Sequence, residues 1–257
     1  DAVRHVPDTF WQQYNRALRE TGGEELVLLG EVFDGDPQTL ATTWRNGEFS
    51  HLFDFPLYYA MTDTFCRQAP LGRLAATLSV VSLYPAPENL VTFADNHDLP
   101  RVVSACNGLL EGVHQLLTFQ FTARGVPAVT YGTEVGLKGD SEPANRADMD
   151  FTADTVSPTH VLLRDLAQIR REHPALREGT TRFLALDQEL FAYLRYTPEE
   201  AVVMVVSRSK VERTLALPEP FASGEARELL ALMPPDTHIG ELTTDSQPPA
   251  GHRGISG

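Results

Sequence analysis

Three carboxylates stand where an apolar run gives way to polar residues. Glu31 closes the run ELVLLGEV (Glu25–Val32), Asp98 closes NLVTFADNHD (Asn89–Asp98), and Asp1 stands directly before AVRHVP, ahead of a helical stretch. A carboxyl leaving an apolar strand, as Glu31 does, can have a raised pKa and suits a general acid near neutral pH. Asp98 lies beside His97 and Asn96. Converging carboxylates of this kind suit glycoside hydrolysis, where one acid protonates the leaving oxygen and another stabilises or attacks the sugar carbon. Taken singly, each carboxylate reads first as a solvated side chain at a strand end or a helix cap. His97 alone reads as a hydrogen-bonded structural histidine. It is three carboxylates at equivalent places in a repeating pattern that shift the balance.

The elements that must position them are four short apolar runs: Glu25–Val32, His51–Leu57, Asn89–Asp98 and Val126–Val135. Such runs predict strands buried on both faces, as in a parallel sheet. Stretches with helical apolar spacing lie around them, over Pro7–Glu20, Leu71–Tyr84, Leu109–Ala123 and Ser157–His173. Ser157-Pro158 is a start signal for the last of these, because serine caps and proline suits the first turn, and His173-Pro174 closes it. Strand-then-helix alternation gives an α/β class, about the C-terminal half of a (β/α)8 TIM barrel (strands 5–8), over residues 1–178. From about Thr180 the segments FLALDQELFAYLRY, AVVMVVSRS and ERTLALPEP alternate in β fashion, parted by TPEE and SKVE. They predict a C-terminal β domain over 179–244, a small antiparallel sandwich. Residues 245–257, rich in Pro, Gly and Ser, predict a mobile tail.

The 257 residues carry 35 acidic and 21 basic side chains, a net charge of −14, with 42% hydrophobic residues. That balance belongs to a globular chain and argues against nucleic acid, since little here could displace phosphate counterions. A neutral sugar is untouched by that argument. No apolar run approaches the length of a membrane span. Two cysteines, Cys66 and Cys106, cannot form a disulfide framework and lack metal spacing, so both are expected to be small buried apolar side chains.

The segments DAVRHVP, GEVFDG, VTFADNHD and YGTEVGLKGDSEPANR resemble, in order and context, conserved regions of the α-amylase family, glycoside hydrolase family 13. The resemblance spans about Asp1 to Phe151, and LLRDLAQIRREHPALRE is similar to the family's last barrel helix. It implies Asp1 as nucleophile, Glu31 as general acid/base, and Asp98 as a third carboxylate holding sugar hydroxyls. It further implies that His97 binds the sugar at the cleavage subsite and that Arg4 and His5 lie on the acceptor side. Arg4 stands where the family carries lysine, and a planar guanidinium is not equivalent to an ammonium. Phe33 matches an aromatic acceptor platform. Glu142 and Arg146 match an Asp and an Arg that grip donor-side sugars, Glu142 being one methylene longer. Packing or a loop salt bridge is the alternative for Phe33, Glu142 and Arg146.

The implied activity is a retaining hydrolase of α-1,4-glucans, of amylase, cyclomaltodextrinase or neopullulanase type. An α-glucan or cyclodextrin glucanotransferase and a non-catalytic carbohydrate-binding relative are the alternatives. No cofactor is required, and calcium is an option for the complete enzyme, one ligand being the backbone carbonyl at His5. The family's first conserved region and its earlier strands have no counterpart here. The chain therefore reads as a fragment, inactive alone, whose open sheet edges need the N-terminal half of a barrel or a second copy to cover them. Expected partners are an α-glucan, with no nucleic acid and no membrane. An extracellular and a cytoplasmic setting fit equally.

Overall fold

The computed structural model describes residues 3–151, 156–218, 221, 227 and 229–230. Four strands, β1 (Leu29–Gly30), β2 (His51–Phe53), β3 (Leu90–Phe93) and β4 (Val126–Ala128), form one all-parallel sheet in the order β1-β2-β3-β4. Leu29 pairs with His51, Leu52 with Leu90, and Val91 with Val126. All four strand ends therefore open on the same side. The helices are α1 (Asp8–Gly22), α2 (Pro37–Gly47), α3 (Phe55–Met61), α4 (Gly72–Ser79), α5 (Val102–Ala105), α6 (Leu110–Thr122), α7 (Pro158–Glu172) and α8 (Pro174–Glu178).

Local sequence explains where the main helices start. Asp36 accepts hydrogen bonds from the N–H groups of Gln38 and Thr39, with Pro37 in the first turn of α2. Asp54 accepts from Leu57 N ahead of Pro56 in α3, and Ser157 accepts from His160 N ahead of Pro158 in α7. Each pairing of a side-chain acceptor with proline satisfies one orphan donor and omits another. The stretch Leu71–Tyr84, expected as one helix, breaks into α4 and a 3-10 turn, Val81–Leu83.

The largest apolar cluster lies among α3, α4, α6 and α7, with Phe119, Leu116, Leu74 and Met61 buried. A second packs α2 on the sheet through Val32, Leu40, Trp44, Leu52 and Leu90. Strand β3 is buried throughout, as a strand covered on both faces should be. The outer strands are not. Val27 and Leu29 are 62% and 43% exposed beside β1, and Val126, Val129 and Tyr131 are 45%, 43% and 46% exposed around β4. Within the described residues β1 and β4 each pair with one neighbour only.

The C-terminal region is a separate antiparallel sheet, β5 (Thr180–Leu186), β6 (Leu190–Tyr196) and β7 (Ala201–Ser207), in the order β5-β6-β7. Instead of facing a second described sheet, its inner residues Phe191 and Tyr193 join the main cluster against Phe119. The third alternating segment, ERTLALPEP, is irregular over 212–218, where Pro218 has no N–H to give a ladder; its last two residues and the expected tail lie outside the described residues.

The cysteine expectation is corrected. Cys66 and Cys106 are both buried, as expected, but they form a disulfide across 40 positions, tying the π turn Thr62–Cys66 to the end of α5. Two cysteines exclude a framework and leave one bridge open once the fold brings them together.

Candidate active site

Glu31 is the first residue after β1, and the loop Asp95–Asp98 follows two residues after β3. Being parallel neighbours across β2, the two strands deliver both segments to one rim. Glu31 is only 7% exposed. Its Oε1 accepts a hydrogen bond of 3.2 Å from Asn96 Nδ2, and its backbone carbonyl accepts from Val3 N at 3.3 Å. The indole of Trp11 donates to the Val3 carbonyl at 3.0 Å, fixing the segment that enters α1.

Asn96 has a second bond. Its Oδ1 accepts from Asp98 N at 2.9 Å, closing an Asx turn that sets the course of the chain through His97. The Asp98 carboxylate is held by Arg146, whose Nη2 donates to Oδ1 at 2.7 Å, and its Oδ2 lies 3.3 Å from His97 Nε2. Arg146 Nε also donates to the His97 carbonyl at 3.0 Å, and Asn145 Nδ2 reaches the carbonyls of His97 and Leu99. The 3-10 turn Ala144–Arg146, in the segment after β4, therefore clamps the Asp98 loop. Glu142 is exposed, 3.7 Å from Arg146 Nη1.

A buried layer supports this loop from below. Asp95 Oδ2 accepts from Val102 N at 2.8 Å and lies 3.4 Å from Arg101 Nε, while Thr133 Oγ1 donates to Asp95 Oδ1 at 3.1 Å. Thr130 Oγ1 donates to the Asp95 carbonyl, and Arg101 Nη2 donates to the Tyr131 carbonyl. Burial pushes the Asp95 carboxyl up, against the opposing pull of Arg101 and of the N–H and O–H donors. On the other flank, Arg4 Nη1 pairs with Asp34 Oδ2 at 2.9 Å and donates to the Phe33 carbonyl at 3.1 Å. Phe33 leaves 43% of its surface exposed and rests on buried Phe55, the ring centroids 4.7 Å apart. His5 is exposed at the end of the turn Val3–His5.

Of the residues expected from sequence, Glu31, His97, Asp98 and Arg146 come together, and Arg4 joins Phe33. Glu142 touches the group only at its edge. Asp1 lies outside the described residues. Asn96, Asp34, Asp95 and Arg101 are additions. The Asn-x-Asp spacing at 96–98 is an Asx-turn signal in the sequence, whereas nothing local marks the bond from Asn96 to Glu31. Among the described residues, no three His, Cys, Asp or Glu side chains group as a metal site, and no helix is long and apolar enough to cross a membrane.

A buried carboxyl is thus linked through one amide to the turn that carries an exposed carboxylate, at the strand ends of a parallel α/β sheet. Residues 5–179 match the family model "Alpha amylase, catalytic domain", and the chain belongs to the α-amylase family. It is 30% identical over 214 residues to an alpha-amylase of Niallia circulans, covering 81% of this chain and 40% of that protein. It is 26% identical over 226 residues to a cyclomaltodextrinase of Geobacillus thermopakistaniensis, covering 85% of this chain and 37% of that one. Its fold is similar to the crystal structure of an alpha-amylase from Geobacillus thermoleovorans in complex with acarbose (TM-score 0.73, 31% identity, 80% of this chain and 46% of that one). The chain thus spans less than half the length of these relatives.

Proposed function

We propose that the whole protein is a retaining glycoside hydrolase of α-1,4-glucans, in which Asp1 attacks the anomeric carbon while Glu31 protonates the departing oxygen. The bond breaks to a covalent glycosyl-enzyme, and Glu31 then takes a proton from water, or from a sugar hydroxyl, as that oxygen attacks the same carbon. Asp98 holds the donor sugar's hydroxyls, with His97 beside it. Arg4, His5 and Phe33 serve the acceptor side, Phe33 offering its exposed ring face. Arg146 is committed to Asp98 and the His97 carbonyl, so its part is to orient Asp98, with Glu142 at the outer edge.

The observation that carries this reading is the Glu31–Asn96–Asp98 link at the strand ends. It ties a buried carboxyl to the turn that carries Asp98, within a chain of the α-amylase family. Retention requires the carboxyl groups of Asp1 and Glu31 to stand about 5–5.5 Å apart. The reaction runs on this chain's side chains. Among the described residues no three His, Cys, Asp or Glu side chains group to hold calcium.

We infer further that the exposed apolar residues flanking β1 and β4 are covered by additional strands that complete the ring, and that residues 1–257 alone turn over little. The test is an assay of the full-length protein, of its Glu31→Gln variant and of residues 1–257 on maltooligosaccharides. The expected outcome is turnover only by the unaltered full-length protein, with products of retained anomeric configuration. Inverted products, or turnover that survives Glu31→Gln, would refute the mechanism. A cyclomaltodextrin glucanotransferase structure matches the chain as closely in fold (TM-score 0.73, 28% identity), so cyclic products from starch would move the reading from hydrolase to transferase without changing the roles.

A further inference from the structure

We propose that Asn96 is a positioning residue that holds the Glu31 carboxyl and the Asp98 turn in one fixed relation, so that proton delivery from Glu31 depends on the Asn96 amide. This rests on the glycosidase reading above. A backbone N–H only donates, so the 2.9 Å contact from Asp98 N requires the amide oxygen to face Asp98. The NH2 group must then face Glu31, and, having no acceptor capacity, it donates to Glu31 Oε1 at 3.2 Å. With Oε1 accepting, the transferable proton of the acid form belongs on Oε2. One side chain thereby fixes which oxygen of Glu31 carries the proton and where the Asp98 carboxylate begins.

Asn96 can do this because its own backbone is immobilised. It follows Asp95, which is buried, paired with Arg101 at 3.4 Å and hydrogen-bonded by Val102 N and Thr133, and its loop is clamped by Asn145 and Arg146. A hydrogen-bond donor held this way is preorganised and needs no rearrangement when the substrate binds.

The two ends of the amide can be tested separately. Asn96→Asp keeps an oxygen for Asp98 N and removes the donor to Glu31; Asn96→Ala removes both. Each variant of the full-length protein is assayed on maltotetraose, whose leaving sugar needs a proton, and on α-maltosyl fluoride, whose leaving group departs as an anion. General-acid assistance supplies about 10²–10⁴-fold. Asn96→Asp is therefore expected to lose at least tenfold in kcat/KM on maltotetraose and less than about threefold on the fluoride. Glu31→Gln should show the same contrast, and Asn96→Ala should fall on both substrates because the turn is released. The proposal is overturned if Asn96→Asp falls equally on both substrates, or on neither. If the unaltered protein turns over neither substrate, or Glu31→Gln shows no contrast, the glycosidase reading itself fails, and this proposal with it. Retained fluoride turnover shows that the variant is folded.

Discussion

Replacing Asp54 by alanine should destabilise the protein far more than replacing it together with its partner. Asp54 follows β2 and is 0% exposed; its Oδ2 lies 2.6 Å from Arg124 Nη1, whose side chain is 4% exposed. Arg124 Nε and Nη2 are buried without a hydrogen-bond partner, and the guanidinium lies 5.6 Å from the Tyr84 ring centroid. At an effective dielectric constant near 20 the pair attracts by roughly 6 kcal/mol, but burying two ions costs several kcal/mol each. The net contribution of the intact pair is therefore small, and the penalty for halving it is large, about 3–5 kcal/mol. Asp54→Ala also removes the cap on Leu57 N, adding about 1 kcal/mol. Against a total stability of about 5–15 kcal/mol this is severe. The double variant Asp54→Leu with Arg124→Met removes both charges and should recover most of the loss, leaving chiefly the missing cap. Urea unfolding of the unaltered protein, Asp54→Leu, Arg124→Met and the double variant gives the coupling between the two positions. If the double variant is as unstable as Asp54→Ala, uncompensated charge is not the cause and the reasoning fails.

Four other outcomes can be checked directly. Reducing Cys66–Cys106, which closes 40 positions, should lower stability by about 4 kcal/mol through the freedom restored to the unfolded chain, and an unchanged urea midpoint with reductant would contradict it. Gly125 has φ +94° and a Cβ there would lie 2.3 Å from the Leu90 carbonyl oxygen, so Gly125→Ala should cost about 1–3 kcal/mol or more in a thermal melt. Arg146→Met removes the ion pair to Asp98, and an exposed pair of about 0.2–1 kcal/mol predicts a fall of up to about fivefold in kcat/KM; unchanged kinetics would remove Arg146 from the site. Arg16 and Gln12 hold the Glu48 carboxyl below its ordinary range. That contribution is present above the unfolded carboxylate pKa of about 4.3 and is lost as pH falls through the lower folded value, so Glu48→Gln should narrow the difference in Tm between pH 6 and pH 3.

The sequence pattern carries the four strands and the starts of α1, α4, α6 and α7 because both depend on neighbours in the chain, whereas α2 and α3 are unmarked, the run His51–Leu57 turning helical at Phe55. Apolar runs mark β1 to β4, and Ser157-Pro158 marks α7 to the residue. Run lengths mislead where long-range partners take over. The run Val126–Val135 ends as a strand at Ala128, because Thr130 and Tyr131 are drawn off to the Asp95 carbonyl and Arg101. The same holds in the site. Glu31, His97 and Asp98 are visible by type and place, but the bond from Asn96 to Glu31 spans 65 positions and that from Arg146 to Asp98 spans 48. No periodicity encodes either pairing. The disulfide escaped for the same reason, since its halves meet only after α5 and the π turn have packed.

The exposed apolar surface around β1 and β4 lies apart from the candidate site. Glu31, Asn96, Asp98 and Arg146 are tied to one another through β1, β3 and the segment after β4, with β2 between, and the loop rests on the buried Asp95–Arg101 layer. None of these ties uses the outer edge of β1 or β4. The unsatisfied surface lies instead at those edges, at Val27 and Leu29 on one side and Val126, Val129 and Tyr131 on the other. Under the proposed function, strands added there would extend the sheet on both sides of the acid, the amide and the carboxylate. What they contribute, on the reading proposed above, is the rest of the sugar-binding rim and the exclusion of water. The relation of Glu31 to Asp98 is set by the 257 residues themselves.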